Sequence, residues 1–208
     1  LKSLCVVKNN FWKKQGSQLQ LSLEGCDGGQ KEETSAPANV LTGNWTSAQA
    51  YLSGDGKTKV NMFFSGSDHV QLTKLRIKVD KGARGPKRGM VFVFRDAEEK
   101  PFKLEEQVTR FECFDKWGPI EYSFVNKVRA AGIASKPDNP VAYFTVEDDW
   151  DEIEVALDFC PVGKYVLVKF LEPRQTSTER LGIVGIKFYG FHRKGAFVND
   201  YDIEKHAA

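Results

Sequence analysis

Residues from which chemistry could be built are few and scattered in this 208-residue chain. Histidine occurs only at His69, His192 and His206, and the cysteines Cys5, Cys26, Cys113 and Cys160 contain no Cys-x-x-Cys pair, so the spacing argues against zinc. No Gly-x-Ser-x-Gly elbow and no phosphate-cradling Walker pattern occurs. We therefore assign no catalytic residue, no metal ligand and no cofactor. The acidic run Glu147-Asp148-Asp149-Trp150-Asp151-Glu152 offers the oxygens that calcium takes, but it lacks the regular spacing of a calcium loop and reads as a solvated strand end.

Positive charge is the feature that is concentrated. Between two apolar runs, Lys78 to Gly89 holds five Lys/Arg, three Gly and one Pro. A second polar stretch, Glu172 to Leu181, carries Arg174, Thr176 and Arg180. Guanidinium groups present a planar fork suited to carboxylates or phosphates, and glycine lets backbone N–H groups approach a ligand. The net charge is only +2, so no global field draws the chain to nucleic acid or to a membrane, and any basic function must be local. The plainer reading, a basic loop that is merely solvated, carries about equal weight from the sequence. Trp45 and Tyr51 are candidate aromatic anchors beside this charge, with core packing as the alternative for each.

The elements that must position these residues are strands. Leu19, Leu21 and Leu23 alternate with polar residues, as do Leu75, Ile77 and Val79, and Ile153, Val155, Leu157 and Phe159. Denser β-branched and aromatic runs, 90–94, 165–168 and 183–189, read as strands buried more deeply. Turn signals divide the chain at Gly25 to Gly29, Ser53 to Gly56, Ser65 to Asp68, Lys136 to Pro140 and Cys160 to Gly163. Short helices are expected near Ala36 to Leu41 and around Asn126 to Ala131, and the polar segment Gln30 to Pro37 reads as a mobile loop. The expectation is an all-β, antiparallel β-sandwich occupying residues 1–208 as a single domain, with one or two short helices and with Leu75, Ile77, Val155, Leu157, Val168 and Ile186 in one core.

The order of features resembles the galactose-binding-like jelly rolls, and within them the DOC domain of the anaphase-promoting complex and of large ubiquitin ligases. Three segments carry the resemblance. The first is Asn39-Val40-Leu41-Thr42-Gly43-Asn44-Trp45 leading to Tyr51-Leu52-Ser53-Gly54-Asp55-Gly56, where the family has an aromatic followed by a Ser-Asp-Gly turn and this chain places Gly54 between Ser53 and Asp55. The second is the long run 70–80, and the third is Val162 to Phe170 with Gly185 to Gly190. The 97–150 region is longer than the family needs. The resemblance implies loops gathered at one end of the sandwich, with Trp45, Tyr51, Ser53 and Asp55 near Lys81, Arg84, Lys87, Arg88, Arg174, Thr176 and Arg180. It also implies a non-catalytic module that captures an acidic, phosphorylated or terminal-carboxylate peptide, in the setting of a ubiquitin ligase. Glycan or lipid binding and domain docking are the alternatives, since the fold hosts all of them.

The chain begins at Leu1 and shows no signal-peptide pattern and no apolar run of membrane-spanning length, so we expect an excerpt of a larger cytoplasmic protein, docked to other domains of its parent chain, without nucleic-acid partners or membrane insertion. Reduced cysteines are expected over a disulfide. Asn44-Trp45-Thr46 is a formal glycosylation acceptor that matters only in a secreted protein.

Overall fold

The structure, a computed structural model, describes residues 16–43, 45–46, 50–95, 101–133, 136 and 138–193. Among these residues the strands are β1 Ser17–Leu19, β2 Ser22–Cys26, β3 Tyr51–Leu52, β4 Val60–Val79, β5 Pro86–Phe94, β6 Ala142–Thr145, β7 Glu152–Ala156, β8 Val162–Pro173 and β9 Gly182–Arg193. All named strand pairings are antiparallel. The 20-residue β4 organises them. Its first part pairs with β2 and β8, its second with β7 and β9, and the register slips at the corner between Ser65 and Val70. Two layers result, β2–β4–β8–β5–β6 and β9–β4–β7 with β1 and β3 on the outer edge of β9. Between them lies one core that contains all six residues expected there, Leu75, Ile77, Val155, Leu157, Val168 and Ile186. The fold is an antiparallel β-sandwich with two short helices.

Several sequence expectations are corrected. The turn signal at Ser65 to Asp68 does not end a strand; it marks the corner inside β4, where Gly66 fits because a Cβ would crowd Val70 and Leu21. The Leu19 to Leu23 run is split between β1 and β2, which pair with different strands. Gln30 to Pro37 is ordered locally by a 3-10 turn, Glu33–Ser35, whose buried Ser35 hydroxyl donates to the Glu32 carbonyl at 2.9 Å. The helix expected near Ala36 to Leu41 is a 3-10 turn, Pro37–Leu41.

The largest correction is helical. Helix α1, Leu104–Phe111, has no counterpart in the sequence expectation, and α2, Pro119–Ala130, begins well before the Asn126 start read from the sequence. They exist because the β2–β4–β8–β5–β6 layer is apolar on both faces. Val91, Val93, Val166, Val168 and Phe170 point into the sandwich core, while Met90, Phe92, Phe94, Tyr165, Leu167 and Leu171 point outward. The helical segment covers that outward face. The Phe111 ring lies 4.9 Å from those of Phe92 and Phe94, and Phe114 lies 5.0 Å from Phe92. Pro119 occupies the first turn of α2, and the Glu121 carboxylate accepts from the Gly118 N–H at 2.8 Å.

One side chain on the covered face is charged. Lys169 stands in the outward row of β8 and is only 2% exposed. Its ammonium donates to Asn61 Oδ1 at 3.0 Å and forms an ion pair with Asp115, which follows the 3-10 turn Glu112–Phe114. Asn61 is oriented by Asp27, and Lys59 reaches Asp115 at 3.3 Å. This polar cluster pins the helical segment to the layer beside a cavity of about 280 Å³. Removal of the two partners should therefore have unequal effects. Asp115→Ala leaves an ammonium buried and should cost about 3–5 kcal/mol, whereas Lys169→Met leaves a partly exposed carboxylate still paired with Lys59 and should cost less. Urea denaturation of both variants checks the order.

Candidate binding surface at the loop end

Because β4 leaves one end of the sandwich and returns to it, the connections around it meet there. Ser53 and Leu181 exchange main-chain and side-chain bonds: the Ser53 N–H donates to the Leu181 carbonyl at 3.0 Å, and the Leu181 N–H donates to Ser53 Oγ at 2.8 Å. The Asp80 to Pro86 turn is tied to the next connection through Gly182 N–H to Arg84 O, 2.8 Å, and Arg174 N–H to Gly85 O, 2.8 Å. The 147–151 segment joins through Val79 N–H to Asp151 O, 2.9 Å. The loops expected to converge thus do so, and the acidic run arrives at the same end.

That arrival decides the electrostatics. Lys81 pairs with Asp151 at 3.3 Å, and this hydrogen-bonded ammonium holds the Asp151 carboxyl below the usual range. Arg84 sits 3.8 Å from Asp80, Arg88 lies 3.0 Å from Glu172, and Arg180 pairs with Asp55. Lys87 is exposed and forms no ion pair with a described residue; Thr176 is also exposed. Arg174 has a different task. One guanidinium nitrogen donates to the carbonyls of Asp80 and Lys81, each at 3.1 Å, and another to those of Glu147, at 3.1 Å, and Trp150. It fastens three chain segments together and is not aimed at solvent.

The expected aromatic anchors face inward or are covered. Tyr51 is fully buried in the sandwich core, its hydroxyl 3.4 Å from Cys26 Sγ, and burial pushes its pKa above the ordinary phenol value. Ser53 is also fully buried, its hydroxyl donating to the Lys57 carbonyl at 2.7 Å. Trp45 adopts φ 41°, an uncommon conformation for a residue with a Cβ. Its indole lies against Gly185 on the outer face of β9, where a side chain would collide with it. The Lys187 ammonium stands 4.3 Å from the ring and the Arg76 guanidinium 5.8 Å. An exposed aromatic does stand at the loop end, but it is Trp150, 49% exposed, which the sequence hid inside an acidic run.

Nothing in the site forms a catalytic array. His69 and His192 lie near the opposite end, on β4 and β9, and His206, Cys5 and Asn44 fall outside the described residues. Among the described residues no cluster of three His, Cys, Asp or Glu has the geometry for a metal ion, and no helix is long and apolar enough to cross a membrane. Cys26, Cys113 and Cys160 are unpaired. Burial pushes the Cys26 and Cys160 thiols up to about 11, while Cys113 is exposed.

No family model matches the chain. It is 40% identical over 198 residues to zinc finger ZZ-type and EF-hand domain-containing protein 1 of Mus musculus, and 40% identical over 196 residues to the Homo sapiens protein of that name. These alignments take in 93% and 92% of this chain but only 7% and 6% of the two relatives. In structure it is similar to the family 32 carbohydrate-binding module of Streptococcus pneumoniae EndoD, TM-score 0.54 at 8% identity, over 84% of this chain and 100% of that one. The reduced XRCC1 chain bound to the DNA polymerase beta catalytic domain gives 0.53 at 10% identity, over 84% and 99%. The C-terminal domain of a chitobiase from Bacteroides fragilis gives 0.53 at 8% identity, over 86% and 99%. These likenesses support the galactose-binding-like β-sandwich fold, and they do not single out the DOC domains.

Two outcomes follow from the geometry. Arg174→Ala strips a charged donor from four carbonyls and should cost about 1–3 kcal/mol in urea denaturation. Arg84→Ala, at an exposed pair, should cost less than about 1 kcal/mol. In alkylation of the native chain near neutral pH, Cys113 should react before Cys26 and Cys160, because the raised pKa of each of those two keeps it a protonated thiol as well as a shielded one.

Proposed function

We propose that this chain is a non-catalytic protein-recognition module whose loop end binds a partner segment carrying an acidic, phosphorylated or terminal-carboxylate group. The observation that carries the reading is the joining of separate connections by hydrogen bonds at one end of the sandwich, on or beside which Lys81, Arg84, Lys87 and Arg180 are exposed or half-exposed, with Arg88 half-exposed between Glu172 and the Gly118 end of α2. Their intramolecular partners do not close the site. Exposed ion pairs are weak and readily exchanged, so a ligand that presents two or more anionic oxygens in fixed geometry can replace the resident carboxylates. Lys87 is the cation for which no exchange is needed. Thr176 and Asp55, both exposed, complete the rim, Asp55 being the carboxylate a ligand would displace from Arg180. Ser53 and Arg174 support the surface from below.

Protein is favoured over glycan by the state of the two expected anchors; the half-exposed Trp150 ring is the one a glycan would stack on instead, and a glycan array tests it. Tyr51 is in the core, and the Trp45 face is flanked by cations, so neither offers the open ring that stacking requires. A protein partner is also in keeping with the XRCC1 chain of similar fold, which is bound to the DNA polymerase beta catalytic domain. The ubiquitin-ligase setting rests on the sequence resemblance to DOC domains.

The test is a peptide array of acidic, phosphorylated and free-carboxylate segments, run beside a glycan array. Acidic or phosphorylated hits are expected, with affinity falling as salt rises, because charges on the surface are screened beyond about 8 Å at physiological ionic strength. The double variant Arg84→Glu, Lys87→Glu should weaken binding about tenfold or more, in the range of charge-assisted contacts, and leave the denaturation midpoint close to that of the parent. Hits confined to glycans, or peptide binding indifferent to the double reversal, would sink this reading.

A further inference from the structure

The two layers end on the same side in strands that are hydrogen-bonded along one edge only, apart from a single bond from the Asp158 N–H to the Val141 carbonyl, 3.1 Å, that joins their flanks. Among the described residues β6 pairs with β5 alone and β7 with β4 alone. Between their free edges runs a cleft of about 550 Å³. Its floor is apolar, formed by Phe144, Ile153 and Val155, three residues that also belong to the sandwich core. Its wall is acidic and aromatic: Asp149, Asp151, Glu152 and Glu154 line it with Tyr143 and Trp150, and no Lys or Arg does. Glu152, Glu154 and Asp151 lean on Arg76, Lys74 and Lys81 from neighbouring segments, but Asp149 forms no ion pair with a described residue.

We propose that this cleft takes up an extended segment of a partner protein in which apolar side chains alternate with Lys or Arg. The free edges supply main-chain donors and acceptors to such a segment, as in strand addition to an open sheet. Because side chains alternate at period two, one row of the segment drops onto Phe144, Ile153 and Val155 while the other meets the carboxylates. The half-exposed Trp150 ring closes the loop-side mouth, where a Lys or Arg can lie over its face. The site adjoins the loop-end surface through the 147–151 segment but takes ligands of the opposite charge, so a basic peptide tests it apart from the anionic ligands of that surface.

Edge acids also serve to keep strands from pairing with copies of themselves, and the experiment must separate that role from binding. The probes are a fluorescein-labelled, acetylated and amidated hexapeptide of sequence Lys-Val-Lys-Val-Lys-Val, its Glu-Val counterpart, and a block peptide Lys-Lys-Lys-Val-Val-Val of the same composition. Fluorescence anisotropy should show binding of the alternating basic peptide and weaker binding of the block peptide, while the acidic one, which the loop end can take, should leave the cleft strands Ala142–Thr145 and Glu152–Ala156 unprotected from hydrogen exchange. Asp149→Lys and Trp150→Ala should each reduce the affinity about tenfold, the scale of a lost charge or aromatic contact at an interface. Trp150→Ala keeps the carbonyl that Arg174 uses, so the loop end should persist in that variant. Hydrogen exchange should show new protection at Ala142–Thr145 and Ile153–Val155 when the peptide is present. The proposal is overturned if block and alternating peptides bind alike, if neither substitution matters, if protection appears elsewhere, or if Asp149→Lys instead makes the chain self-associate with no basic peptide bound to the parent.

Discussion

A sheet layer that is apolar on both faces cannot stand at a protein surface, and the rest of this molecule is arranged around that constraint. The rows Val91, Val93, Val166, Val168 and Met90, Phe92, Leu167, Leu171 point to opposite sides of the same pair of strands. The first row is covered by the second layer, the other by the segment 101–130. Burial on this scale, at about 25 cal/mol per Å², outweighs the modest helix propensity of that segment, which needs the aromatic rings beneath it more than its own backbone preferences. Lys169 is the exception that fixes position. A buried ammonium tolerates one arrangement of partners, so Asn61 and Asp115 give the helical segment a register that Phe-to-Phe contacts alone would leave loose.

The same strand that joins the layers makes the loop end. β4 runs away through one layer and back through the other, so the residues that precede it, 53–59, and those that follow it, 80–86, emerge side by side. The connection from β8 to β9 lies across both, held by main-chain bonds from Arg174, Gln175 and Gly182. Convergence is thus a consequence of topology, and the guanidinium of Arg174 consolidates it by serving carbonyls of two other segments, 80–81 and 147–150.

How much of this the sequence revealed depended on how local the signal was. Period-two alternation in Leu75, Ile77 and Val79 or in Ile153 and Val155 is local, and those residues occupy the core as expected. The corner at Ser65 to Asp68 carries ordinary turn chemistry, and only its pairing partners on both sides show that the strand continues. For α1, the stripe Leu104, Val108 and Phe111 was present at helical spacing, but it is short and lies in a chain dominated by strand patterns. The site residues were least legible. Tyr51 and Ser53 have the types of a ligand-facing turn, yet their environments are set by Cys26, Leu181 and Lys57, which no local pattern places beside them.

Charge shows the same dependence on distance along the chain. The basic loop reads as a positive patch because its neighbours in sequence are basic or neutral, but its partners in space are acids from elsewhere: Arg88 meets Glu172 across 84 positions and Arg180 meets Asp55 across 125. The acidic run gives some of its charge to that neutralisation through Asp151 and turns the remainder toward the β6–β7 cleft. Its backbone is fastened twice, at the Glu147 and Trp150 carbonyls by Arg174 and at the Asp151 carbonyl by the Val79 N–H. The fastening means that Asp149 and the Trp150 ring project from a segment already held in place, so little ordering remains to oppose binding at either surface. One short segment therefore limits the positive character of the loop end and, through the same hydrogen bonds, holds the acidic wall of the cleft in shape.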